Sequence, residues 1–184
     1  SDATITPDST GETQVSGDPM EVALLHLAAA SDVDVEAWRS QHPRVDSIPF
    51  DAGHRYMATQ HGEGEARRLV VKGAPEAVVP RCDRVLTGAG TAALDEAAWH
   101  GRAEELAGRG LRLLAVAEQR GDDAAGGRHQ EAGPGPLVLI GLGGIIGPPR
   151  REAIDAVAAA QRAGIRIKMI TGDHAVTAAA IGRQ

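Results

Sequence analysis

The stretch Arg67-Arg68-Leu69-Val70-Val71-Lys72, followed at once by Gly73-Ala74-Pro75-Glu76, decides how the first part of the chain folds. An apolar run closed by a glycine predicts a strand over 67–72, and a proline just beyond it predicts a short helix from Pro75 to Arg81. Tyr56–His61 predicts a neighbouring strand, with the glycine-rich segment 62–64 as the turn between the two. The first part of the chain is therefore expected to contain a β-hairpin that leads into a helix.

Further elements are predicted on either side of this hairpin. Asp18 as N-cap, Pro19 at the first helical position and Glu21 reaching back predict a helix that begins at residue 19. Other patterns predict at most one strand within 1–16, strands at 45–50, 84–87 and 111–118, and a helix over 95–109 that Gly110 ends. We therefore expect an α+β fold, with an antiparallel sheet and flanking helices.

The pattern changes after residues 121–136, which are rich in glycine and proline and predict a linker. The order strand 137–142, helix 149–163, strand 165–170 and helix 174–184 is typical of a parallel, doubly wound α/β sheet. Two such units are too few to close a sheet. The sequence thus predicts a first domain over 1–120, a linker, and an incomplete second domain over 137–184.

Composition argues against several classes of function. The net charge of the 184 residues is −6 and the basic residues do not cluster, which argues against a nucleic-acid partner. The best apolar run, 137–146, is too short to span a bilayer. The histidines are scattered without metal-ligand spacing, which argues against a zinc site. The single cysteine, Cys82, favours a reducing compartment and a structural role.

Five residues of the first part are candidates for binding a ligand. Phe50, the only phenylalanine, is either a core residue or a platform on which a purine ring stacks. Lys72 either extends into solvent or meets an anion, and Gly73 beside it would let a ligand approach the backbone. Arg112, in an otherwise apolar strand, needs either a neighbouring carboxylate or a ligand phosphate. Glu21 is most simply a capping residue.

Thr171, Gly172 and Asp173 are the candidates in the second part. They follow the predicted strand 165–170 and precede a helix, which places them at the edge of a parallel sheet where ligands bind. The hydroxyl can donate to a phosphoryl oxygen, and the carboxylate either caps the helix or lies near a bound magnesium ion. The sequence has neither a Walker-type phosphate loop nor a dinucleotide glycine motif, so a nucleotide would be held in another way.

These segments together resemble the P-type cation-transporting ATPases, and in particular their calcium-pump-like branch. Six segments match motifs of that family and keep the family's order along nearly the whole chain. In the family these motifs read G-D-P-x-E-x-A-L, I-P-F-x-S-x-x-K-x-M, K-G-A-P-E, G-L-R, G-I-x-D-P-P-R and T-G-D. They correspond here to Ser16–Leu25, Ile48–Met57, Lys72–Glu76, Gly110–Arg112, Gly144–Arg150 and Met169–His174.

The resemblance implies a nucleotide-binding domain, truncated at its N-terminus, and part of a phosphorylation domain with a haloacid-dehalogenase-like fold. It implies that ATP is the ligand, with Phe50 stacked on the adenine and Glu21 near it. Lys72 and Gly73 would line the same pocket, and Arg112 would reach the phosphates.

Thr171, Gly172 and Asp173 would then lie near the transferred phosphate and Mg²⁺. The resemblance also implies a parent protein that moves a phosphoryl group from ATP to an aspartate and hydrolyses it, driving a cation across a membrane. This chain would be a cytoplasmic portion of that integral membrane protein. Its partners would be the remaining phosphorylation, actuator and transmembrane domains.

The chain departs from the family pattern in three respects. The segment with the phosphorylated aspartate is absent, so the fragment alone is expected to bind ATP weakly and to hydrolyse nothing. Gly147 stands where the family has an aspartate beside the phosphate site. The basic residue expected between Phe50 and Met57 is Arg55, with His54 beside it.

Two other functions stay open. A soluble haloacid-dehalogenase-like phosphatase with a cap domain would need an aspartate nucleophile after an apolar strand, and the sequence shows none. A non-catalytic, nucleotide-binding regulatory module is favoured by Gly147, since the family's carboxylate is missing there.

Overall fold

The computed structural model describes residues 2–7, 13–62, 66–121, 136–147, 149–171 and 175–183. The helices of this part are α1 (Pro19–Ala30), α2 (Val35–Gln41), α3 (Pro75–Val78), α4 (Glu96–Gly108), α5 (Arg151–Arg162) and α6 (Ala175–Gly182). A 3₁₀ turn, Val79–Arg81, continues α3. Across these described ranges, no helix has the length and apolar character that crossing a membrane requires.

The strands are β1 (Thr4–Pro7), β2 (Thr13–Ser16), β3 (Arg44–Ile48), β4 (Tyr56–His61), β5 (Arg68–Gly73), β6 (Cys82–Thr87), β7 (Gly90–Ala93), β8 (Leu111–Arg120) and β9 (Leu137–Ile146). Seven of them form one sheet in the order β3-β4-β5-β8-β9-β6-β7. All neighbouring pairs in it are antiparallel except β6 and β9. Strands β1 and β2 form a separate hairpin. The described part is therefore α+β and mainly antiparallel, as the first part of the sequence predicts.

The hairpin predicted from the two strands within residues 56–72 forms as expected. Strands β4 and β5 pair antiparallel, with Met57 opposite Lys72, and α3 begins at Pro75. Strand β7 and the second strand of the N-terminal hairpin were not predicted. In β7 the sequence Gly-Thr-Ala-Ala has no apolar alternation, and all four residues are exposed. Only pairing with β6 defines it.

The buried core lies on one face of the seven-stranded sheet. Its fully buried side chains include Val71 of β5, Leu137 and Leu139 of β9, and Val78 and Val79 at the end of α3. Successive side chains of a strand point to opposite faces. The neighbour of Val71, Lys72, therefore lies on the other face.

The second part of the chain departs from its prediction. Strand β9 does not open a separate parallel sheet, because it runs to Ile146 and pairs antiparallel with β8. Residues 165–170 form no strand, so that prediction is wrong: none of the nine strands pairs with them, and a strand needs a partner for its N–H and C=O groups. The described residues thus do not form the expected doubly wound unit. Helices α5 and α6 do form, and the division into domains stays a prediction.

Candidate functional site

A cavity of about 680 Å³ opens on the sheet face opposite the core. Met57 and Lys72, which are paired on β4 and β5, line it, whereas their sequence neighbours Ala58 and Val71 belong to the core. The volume falls within the range of about 300–1,000 Å³ that is typical of small-molecule sites. The cavity is thus large enough for a ligand the size of a nucleotide.

The structure brings all five ligand candidates of the first part into this cavity. Glu21 comes from α1, Phe50 from the segment after β3, Lys72 and Gly73 from β5, and Arg112 from β8. Of the three candidates of the second part, Thr171 lines the same cavity. Gly172 and Asp173 lie outside the described residues.

Phe50 is at the cavity and not in the core. The residue is 63% exposed, so the alternative that it is a core residue is wrong. The turn after it is held by Asp51, whose Oδ1 accepts a hydrogen bond from the Gly53 N–H at 2.7 Å and whose carbonyl accepts one from the Arg55 N–H at 2.7 Å. The ring is therefore presented at the cavity by a hydrogen-bonded turn.

Lys72 does not extend into solvent. Its Nζ lies 2.5 Å from Oε1 of Glu21, and the two side chains are only 16% and 14% exposed. The pair joins β5 to α1, and its two residues lie 51 positions apart in the sequence. A largely buried ammonium group costs free energy unless a carboxylate partners it, so each residue keeps the other in the cavity.

Glu21 is therefore not the capping residue that the sequence predicts. Its second oxygen, Oε2, accepts hydrogen bonds from the N–H groups of Asp2 at 2.7 Å and Ala3 at 3.2 Å. The cap of α1 is Asp18, which accepts from the Met20 N–H at 2.8 Å, as predicted. Burial by itself would raise the pKa of Glu21, but the hydrogen bonds from Lys72 and Asp2 outweigh it, and the pKa lies below its ordinary value. The carboxylate is thus kept ionised beside Lys72.

Gly73 has a packing role that the sequence did not reveal. A Cβ at this position would lie 2.5 Å from the carbonyl oxygen of Arg55 and 2.6 Å from Cα and Cβ of Tyr56. The glycine therefore allows β4 to approach β5 closely. The close approach of a ligand to the same backbone stays a prediction.

Helix α4 contributes a wall of the cavity that the sequence patterns did not indicate. His100, Ala103, Glu104 and Ala107 line the cavity at helical spacing. Small residues at 103 and 107 were a usable signal, since they leave space on one face of the helix. A further wall residue, Thr177 of α6, donates from its hydroxyl to the Leu111 carbonyl at 3.2 Å.

Charged groups of both signs line the cavity. Among the described residues that line it, the cations are Arg55, Lys72 and Arg112, and the carboxylates are Asp18, Glu21, Glu76 and Glu104. Lys72 is paired with the carboxylate of Glu21, and Arg55 with that of Glu76. A cavity with an exposed aromatic ring and three cationic side chains suits a ligand with a planar apolar part and an anionic part.

The described residues show neither a cluster of metal ligands nor an acidic thiol. Among them, no group of three or more His, Cys, Asp or Glu could hold a metal ion. Burial, helped by the charge of Asp83, raises the pKa of the Cys82 thiol to about 12. Its Sγ donates to the Val78 carbonyl at 3.3 Å. Cys82 is therefore a structural thiol, as its sequence context predicts.

Comparison with known proteins identifies relatives over most of the chain. The family described as "P-type ATPase, cytoplasmic domain N" matches residues 1–152. Cation-transporting ATPase pma1 from Synechocystis is 42% identical over 175 residues, which cover 92% of this chain and 19% of the relative. Calcium-transporting ATPase 1 from Bacillus cereus is 34% identical over 173 residues, with 92% and 19% covered.

A third relative is named for different ions. The sodium/potassium-transporting ATPase subunit alpha-A from Artemia franciscana is 35% identical over 182 residues, which cover 92% of this chain and 18% of the relative. The chain thus spans about a fifth of the length of these relatives. Their names differ in the ion, so the similarity does not single out one transported cation.

Proposed function

Because this chain belongs to the P-type cation-transporting ATPases, as their nucleotide-binding N domain, we propose that the cavity bordered by α1, β5 and α4 binds ATP. The observation that carries this proposal is that one cavity of about 680 Å³ is lined by Glu21, Phe50, Lys72, Gly73 and Arg112 together. These residues come from four separate segments of the chain. Folding alone gathers them around one space.

The adenine would lie between Phe50 and the Lys72–Glu21 pair. Stacking of a base on an aromatic ring contributes about 1–3 kcal/mol, and Phe50 is exposed enough to supply it. The Glu21 carboxylate, held ionised, can accept a hydrogen bond from an amino group of the base. The ammonium group of Lys72 keeps that carboxylate in place.

The phosphates would extend toward Arg112, with Thr171 also at the cavity. A guanidinium group matches the geometry of phosphate oxygens and pairs with them through two N–H groups. Thr171, with Gly172 and Asp173, is proposed to lie on the phosphate side. Mg²⁺ would be carried by the triphosphate, and it would neutralise part of the phosphate charge.

For the whole protein we propose the cycle that the resemblance implies. A phosphoryl group would pass from ATP to an aspartate that this chain does not contain, and hydrolysis of the aspartyl phosphate would drive a cation across a membrane. The rest of the phosphorylation domain, with its haloacid-dehalogenase-like fold, and the actuator and transmembrane domains would be the partners of this chain. Assignment to the calcium-pump-like branch depends on the motif resemblance. The chain by itself would bind ATP without hydrolysing it.

One observation favours a second candidate, a nucleotide-binding module without catalysis. Gly147 stands where the family has an aspartate, and a Cβ placed there would meet nothing within 4 Å. Packing therefore does not require the glycine. The loss of the carboxylate fits a protein that binds nucleotide but transfers no phosphoryl group.

Calorimetric titration of the chain with ATP tests the binding proposal. Phe50→Ala should weaken binding by about five- to hundredfold, because the stacking energy is lost. Lys72→Ala should also weaken it, because Glu21 loses its partner. Leu86→Ala and Lys168→Ala are matched controls, since they remove an exposed apolar and a basic side chain that do not line the cavity. Binding that neither Phe50→Ala nor Lys72→Ala weakens would refute the proposed site.

A further inference from the structure

The cavity carries an ion pair that the proposed contacts with ATP leave unused. Nη1 of Arg55 lies 2.8 Å from Oε1 of Glu76, and both residues line the cavity. Their side chains are 52% and 37% exposed, in contrast to the largely buried Lys72–Glu21 pair. The Arg55–Glu76 pair therefore lies where the cavity meets solvent.

The backbone at Arg55 holds its side chain at this position. Arg55 has a φ of +56°, a left-handed conformation that is uncommon for a residue other than glycine. Its N–H donates to the Asp51 carbonyl at 2.7 Å, and its carbonyl accepts from the Ala74 N–H at 3.0 Å. Arg55 is thus tied both to the turn that presents Phe50 and to the residue before α3. The Arg55 side chain can change partners while these backbone contacts stay in place.

An exposed arginine–carboxylate pair is weak, because water solvates both groups. A phosphate group carries more negative charge than a carboxylate, and it can accept two hydrogen bonds from the Arg55 guanidinium. Glu76 contacts that guanidinium through a single oxygen. A ligand with enough negative charge can therefore take the guanidinium from Glu76. A ligand with little charge cannot.

We propose that Arg55 and Glu76 form an exchangeable ion pair, which opens when a nucleotide polyphosphate enters the cavity. Glu76 then acts as an internal competitor for Arg55. It lowers the affinity for ligands that carry enough phosphate charge to displace it from Arg55, and it makes binding depend on the number of phosphates that the ligand carries. This inference rests on the proposed binding of ATP and specifies how the same cavity would distinguish nucleoside tri-, di- and monophosphates.

The test is calorimetric titration of ATP, ADP and AMP into the chain and its Glu76→Gln variant. Compared with Glu104→Gln, Glu76→Gln should bind ATP up to about fivefold more tightly, ADP less so, and AMP equally. Glu104→Gln is the matched control, because it removes the same charge from the same cavity without touching the Arg55 pair. Its effect measures the general gain from a less negative cavity.

A second background isolates the role of Arg55. In Arg55→Gln, adding Glu76→Gln should bring no gain beyond the general one measured with Glu104→Gln, because the contested guanidinium is gone. The inference would be overturned by a gain in this background that exceeds that of Glu104→Gln, or by a gain from Glu76→Gln in the parent chain that is no larger than that of Glu104→Gln. If Phe50→Ala weakens ATP binding while Glu76→Gln behaves like Glu104→Gln, the inference fails and the proposed function stands. If neither the parent chain nor any of the variants binds a nucleotide, both the inference and the proposed function fail.

Discussion

The seven-stranded sheet and the C-terminal segment 149–171 show how differently two regions with equally clear sequence patterns can fold. In the sheet, Val71 and Leu139 are completely buried. In the C-terminal segment, α5 has no buried residue and Ile170 is 97% exposed. Helix α5 forms nevertheless, because a helix satisfies its N–H and C=O groups internally. Residues 165–170 form no strand, because a strand needs a neighbour.

This difference teaches that the two kinds of element depend on context to different degrees. A periodic pattern predicts a helix that local hydrogen bonds can complete. The same kind of pattern predicts a strand only where another strand lies alongside it. Ile165, Ile167, Met169 and Ile170 are apolar enough for a core, yet all four are exposed in the described part of the chain.

Removing a buried apolar side chain from the sheet should give the largest contrast between the two regions. Leu139→Ala should lower the free energy of unfolding by about 2–5 kcal/mol, because it leaves a cavity in the core. Ile154 on α5 is 42% exposed, so Ile154→Ala should change the free energy of unfolding by about 0.5 kcal/mol or less. Urea denaturation of the two variants measures both effects. If Ile154→Ala lowered the free energy of unfolding as much as Leu139→Ala does, α5 would be packed against other residues in solution.

A methyl group added at two glycines should give a smaller contrast. Gly73→Ala forces a Cβ against the backbone of Arg55 and Tyr56 and should cost about 1–3 kcal/mol. Gly147→Ala, just after β9, meets open space and should lie within about 0.5 kcal/mol of the parent chain. Thermal unfolding followed by circular dichroism compares them. If Gly73→Ala is as stable as Gly147→Ala, then β4 and β5 are farther apart than the structure shows.

The helix caps should give the smallest contrast. Asp95 caps α4 by accepting from the Ala98 N–H at 3.0 Å, so Asp95→Ala should lower the free energy of unfolding by about 1 kcal/mol. Arg150 precedes α5 without a side-chain cap bond, and its charge opposes the helix dipole. Arg150→Ser should therefore slow amide hydrogen exchange within α5 and leave global unfolding unchanged.

Arg150→Ser also tests whether α5 unfolds together with the sheet or by itself. A change in global stability with Arg150→Ser would show that α5 unfolds together with the sheet. Exchange in α5 that is slowed without such a change would show that α5 opens by itself. Amide exchange and chemical denaturation on the same samples distinguish these cases.

Much of the fold could be predicted because local rules agreed with it. The pairing of Tyr56–His61 with the next strand, the Asp18 cap and the helix that ends before Gly110 follow from turn residues, caps and periodicity. Strand β7 could not be predicted, because its exposed residues carry no apolar pattern. The position of β9 between β8 and β6 could not be predicted either, since an apolar run does not indicate which strands it pairs with.

The candidate site was predictable as a set of residues but not as a geometry. The residues Glu21, Phe50, Lys72, Gly73 and Arg112 are candidates by residue type and position, the family resemblance implies their roles, and they line one cavity. The Lys72–Glu21 pair could not be inferred, because each residue had a simpler local explanation. The α4 wall was also missed, since its polar residues match the outer face of an ordinary surface helix.

The sequence by itself determined which segments can be helices and strands, where most of them begin and end, and which unusual residues are available for a ligand. These properties depend on backbone hydrogen bonds and side-chain preferences within a few residues. Only the tertiary structure decided that β9 joins the antiparallel sheet, that Glu21 pairs with Lys72 and that Arg55 pairs with Glu76. Those contacts join residues far apart in the chain, and they form only because folding of the whole sheet removes the alternatives.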